Sequence, residues 1–332
     1  MAFEGEASTM KSNTSSTLIG NAACFGAYLI FGFNIIFCKN IADSRLVSPM
    51  ALYLMRAIGA LALFWIFSLY VKDDPDHKSI EGSVPTVNGI RNLGGIELRD
   101  LWKVALASFL GLFLTQLSFL KAITMTTALD VSILSLLSPI MTMIIAAIFL
   151  KDRISLHGVI GLSISFCGVL FLVLNTVSAS RGAASTSLGG ILLMIVNTLS
   201  FASYVGIFKP LIRKYNVVTF MKWMFLFSTL YALPFGLKDL AQTNYGAMDW
   251  SIISQIFFVV IGATFISYFL IPIGQKRLKP VLVCMYSYVQ PVVAMGISLA
   301  TGLDTMTLPK AIATILVFAG VSIVNFAPRK TA

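Results

Sequence analysis

Charged side chains are scarce in this chain. Of 332 residues, 24 are Lys or Arg and 14 are Asp or Glu, 11% in all, where a soluble globular protein carries roughly 25%. So little charge cannot cover a water-facing surface, which excludes an ordinary soluble domain. Histidine is nearly missing. His77 lies in a polar loop and His157 follows a basic turn, so neither a His-rich metal site nor a Ser/His pair at membrane depth is expected. The patterns H-E-x-x-H, G-x-S-x-G and the P-loop are absent, and Gly94-Gly95 alone does not cradle a phosphate. The four cysteines, Cys24, Cys38, Cys167 and Cys284, sit in or beside apolar runs without metal-ligand spacing and read as small buried hydrophobes. No metal, no cofactor and no enzymatic activity are expected. Net charge is +10, but the basic residues are scattered through short loops, which reports membrane orientation rather than nucleic-acid binding.

What fills the chain is apolar surface: 57% hydrophobic residues and a mean hydropathy of +0.88. Ten apolar runs, near 17–37, 49–71, 101–120, 127–150, 155–174, 188–208, 217–236, 250–271, 281–301 and 307–326, each approach the roughly 20 residues that a spanning helix needs. The expected class is an all-α integral membrane protein with ten transmembrane helices in a lipid bilayer. A polar head at 1–16, expected to fray, and a basic tail at 328–332 flank them. No cleavable signal peptide is expected, because the first run is long enough to span and lacks an A-x-A-like site. The one long loop, 72–100, is charged and carries Gly and Pro. With the N-terminus inside, sixteen Lys and Arg fall in inner segments and six in outer ones. That bias predicts both termini in the cytoplasm and a multi-pass protein of the cytoplasmic (inner) membrane.

The chain also repeats itself. Residues 132–168 slide 152 positions onto 284–320, bringing Pro139 onto Pro291, Asp152 onto Asp304 and Gly168 onto Gly320. At an offset of 170, Leu18, Gly20, Phe31 and Lys39 meet Leu188, Gly190, Phe201 and Lys209. Matches at Pro, Asp and Gly mark backbone events, so they weigh more than apolar coincidences. Ten helices then divide into two halves, 17–177 (with the loop 72–100) and 186–327. Five is an odd number, so the second half enters the membrane from the opposite side and the repeat is inverted, as is common in secondary transporters.

With these residues in view, the chain resembles the drug/metabolite transporter superfamily, specifically its EamA-type ten-helix members, from about Leu18 to Phe326. The resemblance rests on Ser138-Pro139, then Lys151-Asp152-Arg153, then Gly158, Gly161 and Gly168. Its second copy is Gln290-Pro291, then Gly302-Leu303-Asp304, then Gly320. The family's usual Leu-Gly-Glu reads Leu-Lys-Asp and Gly-Leu-Asp here, an acid one methylene shorter. The resemblance implies a carrier fold and leaves the substrate open.

Few polar groups lie within the spans, and each must face a partner or a cavity. Arg56 is deep enough to meet a substrate carboxylate through its planar fork, or else to snorkel. Asp130, the acid within a span, is a candidate coupling group for a proton or cation, a partner for Arg56, or a helix-start residue. Lys103, Lys222 and Lys310 lie near helix ends, where lysines snorkel. The repeat pairs Thr115-Gln116 with Ser267-Tyr268, Ser135 and Ser138 with Ser287 and Gln290, and Asn34 with Tyr204. Asn197 shares a helix face with Tyr204. Arg56, Gln116, Tyr204, Tyr268, Gln290, Asn34, Asn197 and Ser138 are therefore candidates for a central substrate site, against the alternative of interhelical glue. Pro139 and Pro291 are candidate hinges or static kinks.

The expected function is a secondary-active or facilitative transporter of a small metabolite by alternating access. Amino acids or related metabolites are the expected cargo, and the resemblance suggests export. A nucleotide-sugar or phosphate-ester carrier is the alternative and asks for more cations than Arg56 and Lys222. A membrane-embedded enzyme or a scaffold is the distant alternative. Small residues at Gly26, Gly32, Gly59 and Ala60 suit close contact within the bundle or in a homodimer.

Overall fold

The computed structural model describes residues 2–70, 92–93, 95–150, 156–178, 186–278, 283 and 286–326, with side chains described from Thr17 onward. Outside these lie most of the loop 72–100, the basic turn 151–153 with Asp152, Ser155, Cys284 and the tail 328–332. The side chains of Pro139 and His157 are also outside them.

The chain runs α1 (Ala2–Ser44), α2 (Pro49–Tyr70), a hairpin of two-residue strands β1 (Asn92–Leu93) and β2 (Ile96–Glu97), and α3 (Leu98–Ile123). Then come α4 (Ala128–Ser135), α5 (Ser138–Leu150), α6 (Leu156–Ser178), α7 (Leu188–Ile207) and the short α8 (Lys209–Lys214). The series closes with α9 (Val217–Gln242), α10 (Trp250–Arg277), α11 (Val289–Ala300) and α12 (Leu308–Phe326). Among the described residues six helices are long and apolar enough to cross a membrane: α1 from Thr17, α2, α3, α7, α9 and α10. Shorter apolar helices cover 128–142, 159–172, 289–300 and 308–320. The polar head is helical. α1 runs through it, since extending an existing helix adds one hydrogen bond per residue without a new nucleus.

Helix starts follow local chemistry. Thr127, Ser187, Asn216 and Asp249 each accept a backbone N–H of the first turn, at 2.9–3.2 Å, and Ser48 does so ahead of Pro49. Such caps satisfy donors that no intrahelical carbonyl can reach.

Two irregularities shape the bundle. α3 and α10 each contain a π-helical stretch, Phe109–Leu114 and Phe258–Ile266. The wider turn leaves carbonyls off the ordinary ladder, and hydroxyls five residues on take them up: Thr115 to Leu110 at 2.7 Å, Thr264 to Val259 at 2.7 Å, Ser267 to Gly262 at 3.2 Å. The run 127–150, expected as one helix, is broken at Leu136–Leu137 into α4 and α5, and a matching turn at Ser287–Tyr288 precedes α11. Pro139 and Pro291 sit just after these breaks. They open new helices, where a missing N–H costs nothing, rather than kinking continuous ones.

The helices meet in a paired pattern. α2 lies along α9, and α6 lies along α12. α1 packs on the C-terminal part of α10 and on α11, while α7 packs on the C-terminal part of α3 and on α5. Where α6 crosses α12, Gly168 faces Ala313, Leu316 and Val317, and Gly320 faces Gly161 and Ser165. A Cβ at either glycine would collide, so the two backbones touch.

Candidate functional site

Arg56 is the eighth residue of α2, roughly 10 Å along the helix at 1.5 Å per residue. It does not snorkel: it is 2% exposed. Its Nε donates to Thr264 Oγ1 at 2.9 Å, and Nη1 lies 3.9 Å from Cys38 Sγ. Both partners are set to accept. Thr264 sends its own proton to Val259 O, and the Cys38 thiol donates to Asn34 Oδ1 at 3.4 Å. The guanidinium thus sits between α1 and the π-helical stretch of α10 with neutral partners. Among the described residues no carboxylate pairs with it. A buried cation without a counter-ion is costly, and a bidentate anion matches its remaining donors.

Tyr268, one turn beyond Thr264 on α10, is 8% exposed and stands near Arg56. Its ring packs edge-on against Phe31 and Phe225, with centroids 5.8 Å apart in each pair. Gln116 on α3 stands near the Tyr268 hydroxyl. Gln116 is 4% exposed, and its Oε1 is buried without a donor among the described residues. Pro272, one turn on, has no N–H to offer the Tyr268 carbonyl. Tyr204 of α7, also buried, lays its ring against Gly111 within the π-helical stretch of α3. Tyr53, one turn before Arg56, shares a hydrogen bond with Ser228 of α9.

Five of the candidate residues therefore converge: Arg56, Asn34 (through Cys38), Tyr268, Gln116 and Tyr204. The other three make different contacts. Asn197 gives its amide to Thr115 O at 2.7 Å, which ties α7 to α3. Ser138 begins α5, its carbonyl accepting from Thr142. Gln290 opens α11, its backbone against Gly32 of α1. Ser135 and Ser132 bond back to their own helix. Cys38 and Thr264 were not among the sequence candidates. Each lies four residues from one, Asn34 and Tyr268, on the same helix face, so helical spacing could have found them.

Asp130 does not partner Arg56. It lies in the first turn of α4, 1% exposed. It accepts from the Thr186 hydroxyl and faces Lys310 at 3.5 Å. Lys310 does not snorkel either, because Asp304 at 3.1 Å and the Thr127 hydroxyl at 3.3 Å hold it. At the other end of α3, Asp100 binds Lys103 at 2.9 Å, Lys214 at 2.7 Å and the Tyr215 hydroxyl at 2.7 Å. Lys276 of α10 donates to Tyr215 O at 2.7 Å. Burial and the bond to Asp100 push the Tyr215 hydroxyl up to about 12. Lys222 lies 5.5 Å from the Trp65 ring centroid, a cation–π contact away from Arg56.

Comparison with known proteins agrees with a carrier. The model of the EamA-like transporter family matches residues 18–174 and again 188–326. YetK of Bacillus subtilis, an uncharacterized transporter, is 23% identical over 205 residues, 60% of each chain. The uncharacterized inner membrane transporter YicL of Salmonella typhimurium is 24% identical over 234 residues, 70% of this chain and 76% of that one. An uncharacterized transporter of Archaeoglobus fulgidus is 31% identical over 137 residues, 41% of this chain and 46% of its own. The chain thus spans about 60% of the length of YetK and under half of that of the archaeal protein. One solved crystal structure, 18% identical, superposes with a TM-score of 0.60 over 93% of this chain and 96% of its own, which is a likeness of fold.

Proposed function

Because the chain belongs to the EamA-like transporter family, we propose that this membrane transporter moves a small carboxylate-bearing metabolite by alternating access between two inverted five-helix halves, 17–177 and 186–327. Amino acids or related metabolites are the cargo, moved outward across the cytoplasmic membrane. The ten-span, two-half reading is supported by the twofold family match, by π-helical stretches at equivalent places in α3 and α10, and by the helix breaks ahead of Pro139 and Pro291. The crossing of α6 and α12 supports it as well. Gly161, Ser165 and Gly168 meet the segment Ala313–Val317–Gly320, which the 152-residue offset makes their own equivalents.

The observation that carries the cargo is Arg56: 2% exposed, hydrogen-bonded to neutral partners and without an acid among the described residues. A substrate carboxylate supplies the missing charge and takes two parallel N–H bonds. Aromatic faces around Tyr268 suit an apolar side chain. A phosphate ester would call for further cations, and Lys222 is engaged with Trp65 instead.

Counterflow in proteoliposomes tests this. Vesicles loaded with the standard amino acids are expected to take up labelled ones above empty liposomes. Arg56→Ala abolishes the uptake, and Arg56→Lys, which keeps charge but loses the fork, restores only a fraction. Full uptake by Arg56→Ala would remove the carboxylate contact. The same assay with a pH gradient addresses Asp130 as a coupling group: an unchanged gradient response in Asp130→Asn assigns it a structural role.

A further inference from the structure

Each end of the bundle is closed by a group of ion pairs, and the two groups differ in kind. At one end Lys310, at the start of α12, stands between two carboxylates. It donates to both Asp304 oxygens, at 3.1 and 3.2 Å, and to the Thr127 hydroxyl at 3.3 Å. Asp130 Oδ1 lies 3.5 Å from the same ammonium. That oxygen is buried and accepts no hydrogen bond among the described residues, while Oδ2 takes the Thr186 hydroxyl. Lys310 is thus hydrogen-bonded to an acid of its own half. The Thr127 hydroxyl and the charge of Asp130 tie it to the other half. The group is nearly dry, with Asp130 at 1% exposed.

The other end is built differently. There Asp100 and Glu97 of the first half meet Lys214 of the second, at 2.7 and 2.9 Å, and Asp100 also accepts from the Tyr215 hydroxyl. This group is wet, with Lys214 at 42% exposed. The internal repeat does not duplicate the dry group either. Its 152-residue offset brings Asp304 onto Asp152, but Lys310 onto Gly158 and Asp130 onto Leu282.

Resting on the two-half, alternating-access reading, we propose that Asp130, Lys310 and Asp304 form the gate of one mouth of the carrier. The cluster holds α4 against α12 while that mouth is shut, and it parts between Lys310 and Asp130 when the mouth opens. On parting, Lys310 keeps Asp304 and Asp130 gains water, so neither charge is stranded. A shut gate without its lysine buries Asp130 with no cation, which is costly. Opening is the rearrangement that returns that carboxylate to water, so removal of Lys310 biases the carrier toward opening at this end. The wet group is the weaker latch, since exposed pairs contribute little and salt screens them.

Spin-label distances, measured in a background with the four native cysteines replaced, read both mouths without a cargo. Labels at Thr124 and Met306 span the Asp130 end, and labels at Arg99 and Arg213 span the other; all four positions are exposed. Lys310→Ala is expected to raise the ratio of long to short Thr124–Met306 distances at least about tenfold and to shorten Arg99–Arg213. Asp130→Asn combined with Lys310→Met, which strands no charge on α4, is expected to return that ratio to within about threefold of its original value. With all native charges present, NaCl at about 1 M, where the screening length falls to ~3 Å, is expected to lengthen Arg99–Arg213 and leave Thr124–Met306 as it was. An unchanged Thr124–Met306 distribution in Lys310→Ala overturns the gate. Lengthening of both pairs together overturns it too, because it reports a loosened bundle. Should Lys310→Ala not elute as a folded protein from size exclusion, Lys310→Gln carries the same expectation, and salt that widens the Thr124 pair rather than the Arg99 pair overturns the assignment with no variant at position 310. Opening at one end without closing at the other keeps the gate and sinks the alternation of the proposed function instead.

Discussion

At Gly111 the ring of Tyr204 occupies the place a Cβ would take. Gly111→Ala is therefore an overpacking substitution, expected to cost about 1–3 kcal/mol, read as a lower thermal unfolding midpoint in detergent. Unchanged stability would mean that Tyr204 does not approach α3 this closely. Lys310 offers a second test. Lys310→Ala strands Asp130, 1% exposed, with a hydroxyl partner only, and is expected to cost about 3 kcal/mol. Asp130→Asn keeps an oxygen for Thr186 and removes the buried charge, so the same melt should show a smaller loss. Equal losses would deny the ion pair its part. None of these pairings can be read along the chain. Asp130 and Lys310 lie 180 positions apart, and a lysine near a helix end reads as snorkelling until its neighbours are known. The depth of Arg56 was legible, because a single charge in a long apolar run has few places to go. Its partners Cys38 and Thr264 were not, since they come from two other helices.

Among the elements, the apolar runs were the legible part: lipid tolerates only self-satisfied backbone, so span length and hydropathy leave a plain mark. The π-helical stretches left almost none. Phe109–Leu114 reads as unbroken apolar helix, and the extra residue shows only in hydroxyls placed to bond five residues back. Those hydroxyls should matter accordingly. Ser267→Ala withdraws the hydroxyl that reaches both Gly262 O and Ala27 O and is expected to cost about 1–2 kcal/mol in the same melt. Thr115→Val should cost less, because Ser200 still serves Leu110 O. The reverse order would disprove this assignment of carbonyl partners. The breaks before Pro139 and Pro291 escaped a reading by hydropathy for a similar reason: Leu136–Leu137 carries no breaker of its own, and each proline acts on the turn before it, where it has no N–H for the carbonyl four residues back.

For the molecule as a whole, polar ties lie at both ends of α3 and none of the described acids lies between them beside Arg56. One end gathers Asp100, Lys103, Lys214 and Tyr215; the other gathers Asp130, Asp304 and Lys310. The first persists through ordinary pH. The Tyr215 hydroxyl, raised to about 12, supports the fold fully below its unfolded value near 10 and stops doing so only as pH climbs through 12. Topology is the open global quantity. Reporter fusions at the two termini are expected on the same, cytoplasmic side, as an even number of crossings and the basic-residue bias require; opposite sides would overturn the ten-span proposal.

The bare guanidinium has a kinetic meaning. On the proposed reading, a carrier that binds a carboxylate at Arg56 crosses between its two faces with the guanidinium ion-paired, whereas the unladen protein must turn over with that cation lacking a counter-ion in low dielectric. Loaded turnover should then be fast and empty turnover slow. Homoexchange of labelled for unlabelled acid is expected to outrun net efflux into substrate-free buffer. For a carboxylate cargo without an ammonium group, a potassium diffusion potential should alter the net flux while leaving exchange untouched. On that reading the protein is expected to work chiefly as an exchanger, its empty return stroke slowed by one residue of α2.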